Sequence, residues 1–359
     1  MSSSGPLRLS IYVLFAALSV AACQAPGTES VATPDPADQV AELAREVWQR
    51  RLERSALLRV REGLPAERLD DLGYQASAED ARLAAELLER ARAVEPEALG
   101  ETDRLTLESL IWDLETSVEG LEWFWHESVL TPYSTPLGQL RPLFAAQPLD
   151  SAEAVDAYLS LLDQVPAFVE ALARRVEGQV ERGIYVPRPA LPACIGLIRA
   201  LAAPSEVGPF APGEGRPAGL DAAERERLEA GIATRVEDRI NPALNALAER
   251  LEGEDYTQSA PEGVGARQWP RGEEYYRYAA RRFTTMDVEP EAIHEIGHQL
   301  VAELEEAMAQ VRREVGFEGS REEFHVMLRE DPRFFPQSAE EVAERLTQAG
   351  EDFEAVVDR

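Results

Sequence analysis

From Asp38 onward the apolar residues of this chain recur at three- and four-residue steps, and no stretch alternates apolar with polar over the length of a strand. Val40, Leu43, Val47, Leu52 and Leu57-Leu58 form one such run, closed near Gly63-Leu64-Pro65. Ser77-Ala-Glu-Asp80 reads as a capping box opening a second, with Leu83, Leu87, Leu88 and Ala91 on one face. Further runs cover about 102–121, 151–182, 190–202, 221–251 and 290–315. Pro166 and Pro242 fall inside two of them, where a proline is expected to kink or end a helix. The stretch 203–219, thick with Pro and Gly, reads as a surface excursion. No repeat at a solenoid period is present. The expectation is an all-α, multi-helix bundle of long amphipathic helices over 38–359.

The first residues have a different character. A polar start carrying only Arg8 precedes the apolar run Ile11 to Ala22, broken only by Ser19, and the pattern is that of an export signal over 1–22. The run is too short to span a bilayer, which takes about 20 apolar residues. It ends in Val20-Ala21-Ala22-Cys23, which resembles the bacterial lipobox. That resemblance implies cleavage before Cys23 and acylation of its sulfur, hence a membrane partner reached through lipid. Two or three acyl chains would hold firmly, since each buried methylene is worth about 0.8 kcal/mol. Gln24, where an Asp often retains lipoproteins at the inner membrane, favours the periplasmic face of the outer membrane. Residues 23–37, rich in Pro, Ser, Thr and Gly, are expected to be a tether.

Charge excludes one class of partner. The chain has 66 acidic and 36 basic side chains, every basic one Arg, for a formal charge of -30. Phosphate backbones repel such a chain, and no basic stripe offsets the repulsion, so nucleic-acid binding is excluded. With only Cys23 and Cys194 there is neither a disulfide framework nor a thiolate zinc cluster. Cys194 has apolar neighbours and reads as a buried, inert thiol.

The sharpest chemical signal is His294-Glu295-Ile296-Gly297-His298, inside the 290–315 run. Ile293, Ile296, Leu300, Leu304, Ala307 and Val311 are expected to form its packing face. Positions four apart lie on the same side of a helix. His294 and His298 can therefore share one zinc ion at about 2.0–2.1 Å each. Glu295 beside them would take a proton from the metal-bound water, the H-E-x-x-H arrangement of zinc peptidases acting on a peptide carbonyl. A catalytic zinc takes three protein ligands. Glu318, Glu322, Glu323 and His325 are the candidates for the third, and spacing selects none of them. Ser320-Arg-Glu-Glu323 also reads as a capping box that would occupy Glu323. The alternative is that the two imidazoles pair with Glu291, Glu305 or water on a solvated helix.

Other clusters have two readings each. Glu122-Trp-Phe-Trp-His126 and Thr131-Pro-Tyr-Ser-Thr-Pro136 concentrate aromatics and prolines. They form either a substrate-facing wall or, preferably, a non-helical segment whose Trp pair plugs the bundle. Tyr275, Tyr276 and Tyr278 orient a substrate or, preferably, pack their helix. Arg281 and Arg282 clasp a peptide carboxylate or, preferably, pair with surplus glutamates.

The blocks Arg271-Gly-Glu-Glu-Tyr275-Tyr276-Arg-Tyr278 through Thr284-Thr285 and Pro290-Glu-Ala-Ile-His294-Glu295-Ile-Gly297 resemble the bacterial domain-of-unknown-function family 885. Phe144-Ala-Ala-Gln-Pro148, Tyr158-Leu159, Val165-Pro166, Glu181-Arg-Gly183-Ile-Tyr-Val-Pro187, Asp331-Pro-Arg-Phe-Phe335 and Ala339-Glu-Glu341 support the match. The resemblance runs from about Asp38 to the last residue. It implies a mostly helical, exported or lipid-anchored protein related to zinc metallopeptidases. The family's H-E-x-x-x-G-H-H-type motif would lie beyond the last residue here, and its residue at the place of His298 is usually aliphatic. The resemblance therefore extends to His294, Glu295 and Gly297 but not to His298, and it implies a shortened or split form. Two functions follow as expectations. One is a cell-envelope lipoprotein hydrolysing peptides with zinc-activated water, and the other is a non-catalytic envelope binding or scaffold protein.

Overall fold

A computed structural model of the chain describes residues 35–213 and 219–357, so the expected signal and most of the expected tether lie outside the described residues. Among the described residues every regular element is helical. No helix among them is long and apolar enough to cross a membrane.

Local chemistry sets where the apolar runs break. The first run becomes α1 (Pro36–Arg54) and α2 (Ala56–Arg61). Asp35 caps α1 by accepting from the Ala37 N–H, so the helix starts within the stretch expected to be tether. Ser55 has extended backbone, its Oγ accepts from the Leu58 N–H at 3.2 Å, and Asp70 accepts from the Ala56 N–H at 2.8 Å. These bonds satisfy the free donors at the start of α2, so the chain breaks there with no proline or glycine to signal it.

The second run is α3 (Tyr74–Arg92), which starts at Gly73. Ser77 is therefore inside the helix and does not cap it. Asp71 accepts the Gly73 N–H at 2.8 Å and turns the chain into the helix earlier than the capping-box pattern suggests. The third is α4 (Glu101–Gly120).

The two prolines behave differently from one another. The run 151–182 is interrupted at Asp163 and Gln164, giving α6 (Ala152–Leu162) and α7 (Val165–Val180), after a short α5 (Leu140–Ala146). Pro166 sits in the first turn of α7, where a missing N–H costs nothing. The run 221–251 is continuous: α9 (Ala222–Arg235) passes through a π-helical turn at Val236–Ile240 into α10 (Asn241–Glu252). That wider turn gives Pro242 its place without breaking the helix. Between them lie α8 (Leu191–Leu201) and the irregular 202–213 stretch; α11 (Glu254–Ser259) and α12 (Gly272–Thr284) follow α10.

Two apolar cores hold this body together. The smaller joins α1, α3 and α4 through Val40, Leu43, Leu88, Ala91, Leu107 and Leu114. The larger joins α5 to α10 through residues such as Phe144, Tyr158, Leu162, Leu172, Ile232 and Leu244, each at most 2% exposed. Burying a side chain of that size stabilises by about 1.5–3 kcal/mol. Tyr158 donates its O–H to the Phe210 carbonyl at 2.9 Å, which ties the Pro/Gly excursion to the core. Helix α12 lies over the end of α4. Its Tyr278 hydroxyl donates to the Thr116 carbonyl at 3.2 Å, and Arg281 pairs with Glu119. At Gly272 any Cβ would lie 1.7 Å from the Ala266 carbonyl oxygen, so only glycine can start this helix.

The last three helices are different. Helices α13 (Pro290–Glu314), α14 (Arg321–Glu330) and α15 (Ala339–Val357) have the expected amphipathic periodicity. In α13, however, no residue is buried. The Ile293–Val311 stripe expected to be a packing face is open to solvent, from 37% exposed at Ile293 to 63% at Leu304. In α14 only Phe324 is buried. The pattern correctly identifies which face is apolar, but nothing among the described residues lies over it.

Candidate functional site

Helix α13 does bring the two imidazoles together. His294 and His298 lie one turn apart with ring centroids 4.4 Å apart and planes at 87°, both exposed. Glu295 is exposed beside them, and its Oε1 accepts from the Gln299 side chain at 3.3 Å. No third donor joins them: among the described residues no three His, Cys, Asp or Glu side chains gather as a metal site would require. Each proposed third ligand is either engaged elsewhere or not gathered with the pair. Glu323 closes the Ser320 capping box, accepting from the Ser320 N–H at 2.8 Å while the Ser320 Oγ accepts from the Glu323 N–H. Arg321 lies 3.3 Å from Glu322, and the backbone hydrogen bond at Glu322 holds that carboxyl below its ordinary range. Glu305, the alternative partner for the imidazoles, pairs with Arg321 at 2.8 Å. Glu318 and His325 form no such group with the pair. Two solvent-facing rings and a neighbouring carboxylate do not fit a three-ligand catalytic zinc.

A denser constellation lies in the body, where α12 meets the turn after α4. Trp123 and Phe124 are buried, and Trp125 stacks on Tyr74 at 6.2 Å. Trp125 fits because residue 178 is glycine; a Cβ there would come within 2.2 Å of the indole. Three guanidinium groups lie over these rings: Arg175 over Phe124 at 4.0 Å, Arg182 over Trp125 at 4.1 Å and Arg271 over Trp123 at 4.6 Å. The aromatic segment is thus a plug in the bundle, as preferred from the sequence. His126 Nε2 lies 2.8 Å from the Pro270 carbonyl and its ring stacks on Tyr275.

Beside the plug is a polar cleft of about 230 Å³, lined by Asp80, Asp113, Thr116, Glu127, Tyr278 and Arg282 among others. Glu127 is its hub: Arg282 reaches it at 2.9 Å and Arg175 at 3.3 Å. Arg175 is almost fully enclosed, and burial lowers its pKa against the attraction of Glu127. Burial, reinforced by the Glu127 charge, pushes Tyr275 up to about 12. Burial also raises Tyr278. These tyrosines are neutral donors at ordinary pH, and the arginines are already paired with carboxylates. Arg281 and Arg282 thus take the glutamate-pairing role preferred from the sequence, and Tyr278 takes the packing one. Cys194 is buried, and burial raises its thiol, as expected for an inert group.

The importance of Arg175 and Glu127 was not visible in the sequence as motif. A signal does exist. Phe168, Leu172, Arg175 and Gln179 fall at helical spacing on one inward face of α7, and an arginine there needs a buried partner.

The fold and the site together define an all-helical body with a paired arginine–carboxylate cleft and an uncovered helical arm. The chain belongs to the family described as "Bacterial protein of unknown function (DUF885)", whose model matches residues 57–359. Among solved structures it is similar to one described as "putative lipoprotein" from Colwellia psychrerythraea, with a TM-score of 0.71 at 18% sequence identity. That match covers 91% of this chain and 60% of the other, so this chain spans about three-fifths of its neighbour's length. The likeness establishes a shared fold. No curated protein matches.

Proposed function

We propose that this chain is a lipid-anchored helical binding body of the cell envelope and not, by itself, a hydrolase. The observation that carries this reading is the place of the H-E-x-x-H residues: they stand on a helix that buries none of its residues. Peptide hydrolysis needs a water-restricting cavity and a complete set of metal donors. The lipobox-like Val20-Ala21-Ala22-Cys23 supports the anchor, with acylation at Cys23. The description of the structural neighbour as a lipoprotein agrees with it, and Gln24 favours the outer membrane's periplasmic face.

Two measurements test the proposal. Cys23→Ala should move the chain from the membrane fraction to the soluble one. In the full chain, His294→Ala and Glu295→Gln should leave partner binding unchanged, and calorimetric zinc titration should give no stoichiometric binding. Zinc bound at one ion per chain and lost in His298→Leu would overturn the reading.

One observation favours a second reading, peptide hydrolysis. His294 and His298 are close enough to act as a donor pair. A third donor would then have to come from outside the described residues.

A further inference from the structure

Single exposed apolar residues are common on proteins, but a continuous helical stripe of them is not. Along α13 and at its C-cap, Ile293, Ile296, Leu300, Leu304, Val311 and Val315 recur at helical spacing and are 37–63% exposed. The stripe is about 33 Å long at 1.5 Å per residue. With a width of about 10 Å it rivals the largest apolar patch on a typical monomer. Helix α15 repeats the pattern with Val342, Leu346 and Phe353, of which the last two are 69% exposed.

The margins of the stripe select its occupant. Helical geometry puts Glu303 and Glu314 on one border, the other continues apolar through Val301 and Met308, and Glu291, Glu305 and the two imidazoles lie away from the ridge. From Met286 to Val357 the chain has 19 acidic residues against 6 arginines, a net of -13. A second copy would bring two such acidic arms together, and an anionic lipid surface would repel one. An apolar stripe flanked by basic residues would bury the ridge and offset the acidic border and the negative charge of the arm.

We infer that the α13 ridge is the docking surface for an amphipathic α-helical polypeptide whose apolar stripe is bordered by lysine or arginine. This rests on the binding-body reading and names its partner by chemistry.

The test uses two synthetic 25-residue helical peptides with the same leucine stripe, one bordered by lysine and one by glutamate. Each is titrated into the full chain by fluorescence anisotropy at low and at physiological salt. The lysine-bordered peptide should bind at least tenfold more tightly, and more weakly as salt rises. Leu300→Glu combined with Leu304→Glu should weaken it at least tenfold while the circular dichroism spectrum and melting temperature stay unchanged. Because both leucines are exposed, the folded state tolerates the change; Leu300→Gln with Leu304→Gln is the milder check. Equal binding of both peptides, or binding indifferent to the ridge variants, overturns the inference. So does dimerisation in sedimentation velocity, or flotation of the non-acylated chain with phosphatidylglycerol vesicles, if the ridge variants abolish it. Peptide hydrolysis lost in Glu295→Gln would instead overturn the binding-body reading, leaving the ridge result to be judged on its own titration.

Discussion

Helices α7 and α13 have the same kind of sequence and opposite fates. Both are amphipathic, with apolar residues at three- and four-residue steps. In α7, Phe168, Val169, Leu172 and Val176 are buried between other helices, and even its inward-facing Arg175 has a carboxylate partner. In α13 the equivalent stripe faces water, and the carboxylates beyond it pair with near neighbours, Glu295 with Gln299 and Glu305 with Arg321. Helix stability in proteins comes mostly from tertiary packing of the apolar face. The comparison therefore shows that periodicity can specify a helix without specifying what covers it. The body is held by its own contacts, whereas the arm has a face prepared for contacts that the described residues do not supply.

Several measurements would break or sharpen this contrast. The largest difference should appear in hydrogen exchange, with α13 and α15 amides exchanging on the order of a thousandfold faster than those of α7 and α10. Equal protection would end the comparison. Next, Leu172→Ala in the fully buried stripe should cost about 2–5 kcal/mol in denaturant unfolding. Glu127→Gln should cost about 1–2 kcal/mol, because it removes the carboxylate facing the enclosed Arg175 while Glu127 itself is partly solvated. A smaller effect is expected at high pH. Tyr275 ionises near its ordinary value when unfolded and at about 12 when folded, so its stabilising contribution is complete below pH 10 and declines as pH rises towards 12. Tyr275→Phe should remove that part of the decline, measured as unfolding free energy across the window. At the bottom of the scale, Leu304→Ala on the open ridge should change stability by less than about 0.5 kcal/mol. A cost like that of Leu172→Ala would mean the ridge is covered.

The helical class and most of its segments were legible in the sequence because apolar spacing reports the backbone period directly. The breaks were less legible. Ser55 ends α1 through bonds involving Leu58 and Asp70, and α3 starts at Gly73 through Asp71, so neighbouring side chains decide what the Ser77 pattern appeared to decide. At the candidate site, four-residue spacing correctly put His294 and His298 together. It carried no information about a third donor, which depends on what the fold brings near, nor about whether the helix would be enclosed. The Arg175–Glu127 pair joins residues 48 apart in the chain, and no local pattern links them.

The π-helical turn at Val236–Ile240 has a consequence of its own. A π turn holds one residue more than the α-helix around it, so deleting a single residue there would restore a regular spiral. That repair would swing everything upstream by about 100° relative to everything downstream. Leu228 and Ile232 would then leave the core that Leu244 and Leu247 still line, and Pro242 would meet the ladder it now escapes. This stretch should accept exchanges of side chain far more readily than any change in its length.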